Sequence, residues 1–153
     1  MAFGQLSLKG RALKLLAARE HSRHELERKL APHETEAGQL KAALDELQAR
    51  GFIDEQRVVD SVLHRRAGRL GAQRIRQELH AKGLDGERVA AAVASLRDTE
   101  AQRAREVWRR KFGVLPADAA QRVKQARFLL ARGFSGEIVR RVLACDHEED
   151  GGA

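Results

Sequence analysis

Apolar residues recur every three or four positions along nearly the whole chain, which is the spacing of the buried face of an α-helix. Nine such segments follow one another. The first begins near Lys9, Ser22 opens the second, and Thr35 opens the third, which ends at Gly51. Glu25 follows Ser22 by three residues, a spacing typical of a capping box at a helix start. The first third of the chain is therefore predicted to form three helices.

Six further helices are predicted beyond Gly51. Asp54 is expected to open the fourth helix, Asp85 the sixth, Thr99 the seventh and Ser135 the ninth. The positions expected to face the core include Leu26, Leu44, Val58, Val59, Val62, Leu63, Ile75, Leu79, Val89, Val93, Leu96, Trp108, Phe112, Val123, Phe128, Leu129, Val142 and Leu143.

An apolar residue directly follows three of the predicted helix-ending glycines. These residues are Phe52, Leu84 and Phe134. A hydrophobic residue at this place commonly contacts the last turn of the preceding helix. We therefore expect all three to be buried where one group of helices meets the next.

The nine helices are predicted to form three copies of one unit. Residues 79–89 align without gaps on residues 129–139, and Glu25-Leu26 in the first unit echoes Glu78-Leu79 in the second. A period near 50 residues with three helices in each period predicts an all-α tandem array. Because one unit alone buries little apolar surface, neighbouring units must stack, which favours an elongated, curved shape. The predicted limits are 1–53, 54–98 and 99–145 for the three repeats, and 146–153 for an acidic, disordered tail.

The composition supports helices and indicates a reducing compartment. Aromatic residues make up only 4% of the chain, and Ala, Leu, Arg and Glu, which favour helices, are abundant. Cys145 is the only cysteine, so no disulfide can form within the chain. Lys9, Arg11 and Lys14 interrupt the apolar residues near the N-terminus, and no apolar stretch is long enough to cross a bilayer. We therefore expect a cytoplasmic protein that does not bind membranes.

Positive charge exceeds negative charge and is concentrated in the third repeat. The whole chain has a formal net charge of +7. Residues 1–53 and 54–98 each contain 9 basic and 7 acidic side chains, whereas residues 99–143 contain 11 basic and 4 acidic ones. Such a surplus attracts polyanions through contacts that weaken as salt rises. The candidate partner- or DNA-binding residues are Arg65, Arg66, Arg69, Arg74, Arg76, Lys82, Arg109, Arg110, Lys111, Arg122, Lys124, Arg127, Arg132, Arg140 and Arg141.

The order and spacing of several motifs resemble the RecX family over residues 6–144. The motifs are Ala12–Leu30, Gly51–Arg57, Gly71–Leu84 and Lys124–Leu143. One departure is Val58-Val59, where the family often has an aromatic residue followed by Ala. This difference is expected to alter core packing only.

The resemblance implies three helix-turn-helix-like units that bind within the helical groove of the RecA–DNA filament. It also implies that this binding reduces the strand-exchange, ATPase and co-protease activities of RecA in recombination and repair. The implied partners are the RecA filament and, weakly and without sequence preference, single- or double-stranded DNA in or near it. The protein is expected to be a monomer.

The basic residues also fit two different roles. Each cation can lie on a solvated helix face, or favour the C-terminal end of a helix through the macrodipole. Alternatively, the chain is a transcriptional regulator that reads DNA with one helix-turn-helix, in which Gln73, Arg74, Arg76 and Gln77 would contact bases. No heptad run that would make a dimer is visible.

No residue pattern in the sequence indicates catalysis, a metal or a cofactor. His21 and His24 are three residues apart, but no cysteine or carboxylate completes a convincing metal site. Glu25, Glu78 and Glu106 are interpreted as surface or capping residues. We therefore expect a regulator that is not an enzyme and that needs no cofactor.

Overall fold

The computed structural model describes residues 5–144, which form α-helices and one short 3₁₀ turn, with no β-strand in that range. The elements are α1 (Leu8–Ala18), α2 (Arg23–Leu30), the 3₁₀ turn Ala31–His33, α3 (Gln39–Ala49), α4 (Glu55–Arg66), α5 (Ala72–Ala81), α6 (Glu87–Asp98), α7 (Glu100–Lys111), α8 (Ala119–Ala131) and α9 (Gly136–Ala144). The predicted all-α fold is confirmed. The predicted disordered tail, like Cys145, lies outside the described residues.

Each group of three consecutive helices surrounds its own apolar core, as expected for a tandem array. We call α1–α3 the first unit, α4–α6 the second and α7–α9 the third. The most deeply buried apolar side chains include Leu26, Leu44 and Leu47 in the first unit, Val62, Ile75 and Leu79 in the second, and Ala104, Leu129 and Val142 in the third. The residue limits assigned to the repeats stay a prediction.

The polar residues that begin the helices act largely as the sequence predicts. The Ser22 hydroxyl accepts a hydrogen bond from the Glu25 backbone N–H at 3.1 Å, and the Glu25 carboxylate accepts one from the Ser22 N–H at 3.0 Å. Asp54 caps α4 by accepting from the Arg57 N–H, and Ser135 accepts from the N–H of Ile138 in α9. These side chains satisfy N–H groups that have no partner within their helix.

Two predicted helix starts are wrong by a few residues. The third helix begins at Gln39 instead of Thr35, because the Gln39 side-chain oxygen accepts from the backbone N–H and hydroxyl of Thr35 and holds the intervening residues in a turn. That turn ends at Gly38, whose φ of +85° favours glycine. The sixth helix begins at Glu87 instead of Asp85, and Gly86 with φ +79° precedes it.

Two predicted core positions, Phe52 and Val123, differ from the structure in an informative way. Leu84 and Phe134 are buried as expected, but Phe52 is 45% exposed and its neighbour Ile53 enters the first core instead. Val123 is 48% exposed, contrary to the prediction. It precedes the buried Gln125 of α8 by two residues, which is about 200° around a helix, so it faces away from the third core.

Neighbouring units meet through two equivalent contacts. At the first, the Ser22 hydroxyl at the start of α2 donates to the carbonyl oxygen of Lys82, in the loop after α5, at 2.5 Å. At the second, the Gly71 N–H at the start of α5 donates to the carbonyl oxygen of Arg132, in the loop after α8, at 2.7 Å. In both cases the loop after the middle helix of one unit contacts the start of the middle helix of the preceding unit. The units are therefore joined by a repeated geometry.

Candidate functional site

A large groove lies where the first unit meets the second and contains several predicted binding residues. We call it the N-terminal groove. It is lined by His24, Glu25, Arg28, Lys29, Arg65, Arg66, Glu78, Ala81 and Lys82, and its volume is about 560 Å³. The structure thus brings the predicted Arg65, Arg66 and Lys82 together. It adds Arg28 and Lys29 of α2, which sequence reasoning did not include among the binding residues.

Carboxylates offset much of the positive charge in the N-terminal groove. Glu25 forms ion pairs with Lys82 at 3.1 Å and with Arg19 at 2.8 Å. Partial burial opposes ionisation of Glu25, but the hydrogen bonds from Arg19, from the Ser22 backbone and from Lys82 lower its pKa to about 2. Glu78 contacts Arg66 at 3.4 Å. Glu25 therefore remains charged near neutral pH, and both Glu25 and Glu78 pair with cations of this groove.

A second groove lies between the second and third units, and we call it the C-terminal groove. It is lined by Gly68, Arg69, Val107, Arg110, Lys111, Phe128 and Arg132, and its volume is about 340 Å³. Four of the seven lining residues are predicted binding residues, and none is a carboxylate. The sequence places them on three separate segments, so only the folded chain brings them together.

Phe128 organises two of the cations in the C-terminal groove. The guanidinium carbon of Arg132 lies 4.8 Å from the centre of its ring, and the Lys111 ammonium lies 5.3 Å from it. Phe112 supports the same ring edge-on, with 5.5 Å between the two ring centres. The negative face of an aromatic ring attracts cations at such distances. Phe128 therefore holds two positive charges in place without neutralising them.

The remaining predicted residues lie outside both grooves. Arg76 lines a third depression with His80 and Arg97. The start of the Arg74 side chain contacts Gly133 where the second and third units meet. The others are exposed on the helices of the third unit: Arg109, which pairs with Glu106 at 2.6 Å, and Arg122, Lys124, Arg127, Arg140 and Arg141.

One cation of the third unit has a structural role that the sequence does not signal. The Arg103 guanidinium donates to the carbonyl oxygens of Ala67, Leu70 and Leu96 at 2.6–2.8 Å. Burial lowers the pKa of Arg103 below its usual value. Nearby, the buried Glu100 accepts a hydrogen bond from the backbone N–H of Ala72 at 3.3 Å. Part of the positive surplus therefore fastens α7 to the second unit.

The structure gives the pair His21 and His24 no metal-binding arrangement. His21 is 2% exposed, its Nδ1 lies 3.0 Å from the Arg19 carbonyl oxygen, and its Nε2 lies 3.1 Å from the Lys29 ammonium. Burial lowers the pKa of His21, which favours the neutral ring. Within residues 5–144, no three His, Cys, Asp or Glu side chains are grouped so as to hold a metal ion.

The start of α5 is a poor candidate for reading DNA bases. A recognition helix normally inserts its first residues into the major groove. Here the loop after α8 covers that end, because the Gly71 N–H is bonded to Arg132 and Arg74 contacts Gly133. Gln73, Arg76 and Gln77 are exposed farther along the helix. A further observation is that no helix in the described part of the chain is both long and apolar enough to cross a membrane.

Three family models match consecutive parts of this chain. The model of the first three-helix domain of RecX matches residues 9–47, that of the second matches residues 54–93, and that of the third matches residues 98–143. Together they cover most of the sequence, in the order expected from the internal repeat.

Relatives of known name and solved structures agree with these matches. The chain is 60% identical to the regulatory protein RecX of Leptothrix cholodnii, over 95% of this chain and 94% of that protein. It is 47% identical to the regulatory protein RecX of Ralstonia pickettii, over 95% and 93%. A crystal structure of RecX from Lactobacillus salivarius matches with a TM-score of 0.73 at 17% identity, over 90% of this chain and 92% of that one. Another crystal structure of a regulatory protein RecX gives a TM-score of 0.74 at 19% identity, over 90% and 72%. These two structures have the same fold as this chain.

Proposed function

Because this chain belongs to the RecX family of regulatory proteins, we propose that it binds the RecA–DNA filament and restrains the activities of RecA. The observation that best supports a filament as partner is the occurrence of a cation-lined groove at each contact between units. A filament presents the same surface repeatedly, and a tandem protein with repeated grooves can contact several copies at once. Several weak contacts on one molecule combine into much tighter binding than any one of them.

We propose that the protein acts by binding alone, as a cytoplasmic monomer without a cofactor. Lodged in the helical groove of the filament, the array would obstruct access to the DNA. It would also resist the movements of RecA subunits that accompany ATP turnover, because one rigid array would contact several subunits. DNA within or near the filament would contribute weak contacts without sequence preference, through phosphate groups.

The proposal is tested by ATP hydrolysis of RecA on single-stranded DNA, measured while the purified full chain is added at increasing ratios to RecA. We expect hydrolysis to fall as the ratio rises, and the inhibition to weaken at higher salt, since cationic contacts are screened. A rate that stays unchanged at every ratio would contradict the proposed function.

A further inference from the structure

One of the differences between the two grooves lies at an equivalent position of the repeat. The alignment of residues 79–89 with 129–139 extends one residue back, so Phe128 takes the place of Glu78. The same position in the first unit is Glu25, because Glu25-Leu26 corresponds to Glu78-Leu79. The first two units thus have a carboxylate where the third has an aromatic ring. The surrounding cations are retained, since Arg132 corresponds to Lys82.

This difference removes one of the two carboxylates that pair with cations in the N-terminal groove. In the N-terminal groove, Glu25 pairs with Lys82 and Glu78 pairs with Arg66. In the C-terminal groove, Phe128 contacts Lys111 and Arg132 through its ring and brings no negative charge. Arg69 and Arg110 complete the lining, and no carboxylate is among the lining residues. The four positive charges therefore converge on one groove with no lining acid to offset them.

We infer that the C-terminal groove is a binding site for the phosphate groups of a DNA strand, and that Phe128 in place of glutamate favours this binding. The inference deepens the proposed function and rests on it for the identity of the partner. Guanidinium groups match the geometry of phosphate oxygens with paired hydrogen bonds, and three of the four cations are arginines. Phe128 and Val107 give the groove an apolar part that suits the sugar.

Four cations line the C-terminal groove, whose volume is only about 340 Å³, and this favours a ligand with closely spaced negative charges. A DNA strand carries one phosphate in every nucleotide, so neighbouring phosphates can reach neighbouring arginines. An acidic protein segment is the competing ligand. Glu78 of this chain already occupies the equivalent position in the N-terminal groove, where its carboxylate pairs with Arg66 and reduces the net charge.

The central test uses a fluorescent single-stranded oligothymidylate and the full chain, with no RecA present. The variants F128E and F128Q remove the same ring and have nearly the same size, so they disturb packing alike and differ by one negative charge. We expect F128E to bind the oligonucleotide about tenfold more weakly than F128Q, because the new carboxylate lies near Lys111 and Arg132. Equal affinities would overturn the inference.

A test with a second pair of variants does not require the chain to tolerate loss of the Phe128 ring. Arg110→Ala with Lys111→Ala removes two groove cations, and Lys41→Ala with Arg88→Ala removes two cations that form exposed ion pairs elsewhere. The slope of log affinity against log salt should fall by about 1.4 in the groove variant, which is about 0.7 for each lost phosphate contact of a single strand. The control variant should keep most of the slope, and an equal fall in both would overturn the inference.

A competition experiment distinguishes a DNA strand from an acidic protein segment as the ligand of the C-terminal groove. The labelled oligonucleotide is displaced with unlabelled oligonucleotide or with polyglutamate of equal charge. We expect polyglutamate to compete much less well, and equal competition would contradict phosphate recognition. Because RecA is absent from these experiments, their failure would leave inhibition of RecA ATP hydrolysis intact. Conversely, phosphate binding without that inhibition would contradict the proposed function alone.

Discussion

At the scale of single residues, the structure divides the cations into those available to a partner and those used within the fold. Arg103 belongs to the second group, since three carbonyl oxygens of the second unit accept hydrogen bonds from its guanidinium. Sequence reasoning counts it in the basic surplus of the third repeat but cannot assign its partners. They lie up to 36 residues away, and only the packing of α7 against the second unit brings them close.

Replacing Arg103 should therefore destabilise the protein. Arg103→Met keeps the apolar length of the side chain but leaves the carbonyls of Ala67, Leu70 and Leu96 without this donor. We expect the free energy of unfolding to fall by about 3 kcal/mol, since each hydrogen bond to a charged group contributes roughly 1.5–3 kcal/mol and the three are not additive. Urea denaturation measures this. The exposed Arg122 on α8 provides the control Arg122→Met, which should change stability by less than about 0.5 kcal/mol. Equal effects would contradict the role of Arg103.

The free energy of unfolding depends on pH through the ionisation of Glu25. Its pKa in the folded protein is about 2, against 4.5 for the ordinary carboxyl group. A carboxyl group whose pKa is lowered by folding stabilises the fold at pH values above its pKa in the unfolded chain. This stabilisation is lost as the pH falls from 4.5 towards 2. At pH 7 we expect the free energy of unfolding of E25Q to be about 2–3 kcal/mol lower than that of the unchanged protein. Between about pH 4.5 and 2, the free energy of unfolding should fall less steeply in E25Q than in the unchanged protein. Identical pH profiles for the two proteins would contradict this account.

At the scale of the helices, local patterns predict where most elements lie, and tertiary contacts decide the details. The capping box of Ser22 and Glu25 was predictable because both partners are close in the sequence. The start of α3 was not, because Thr35 looks like a cap while the Gln39 side chain folds the preceding residues into a turn. Val123 was misplaced because it lies six residues before the buried Leu129, which is about 240° around the helix and therefore on a different face.

Gly71 is required at a contact between helices of different units. Its φ is −77°, which any residue can adopt, but an added Cβ would collide with the backbone of Gly133. We expect Gly71→Ala to reduce the free energy of unfolding by about 2 kcal/mol, as other overpacked substitutions do. Thermal and urea denaturation measure the change.

Gly68, three residues earlier, is the matched control for Gly71. An added Cβ there meets no atom within 4 Å. Gly68→Ala should be neutral or slightly stabilising, because alanine reduces the freedom of the unfolded chain. If Gly71→Ala were equally harmless, the close approach of the α8–α9 loop to α5 would not hold in solution.

At the scale of the whole molecule, repetition accounts for both the fold and the candidate site. The middle helix of each unit forms the contact with its neighbour, and a groove opens beside each contact. The array and the basic surplus were predictable from the sequence. The grooves were not, because residues such as Arg28 and Arg66 come together only when two units stack. The predicted residues on α9, Arg140 and Arg141, lie outside both grooves.

The most direct test of the central claim measures binding of the full chain to preformed RecA–DNA filaments after charge reversal. Arg110→Glu with Lys111→Glu changes the C-terminal groove, and Lys41→Glu with Arg88→Glu makes the same change in net charge elsewhere. Circular dichroism checks that both variants keep their helices. We predict that the groove variant loses at least about tenfold in filament affinity while the control stays close to the unchanged protein. Equal losses in the two folded variants would show that overall charge, and not the grooves between units, governs binding, and would contradict the account.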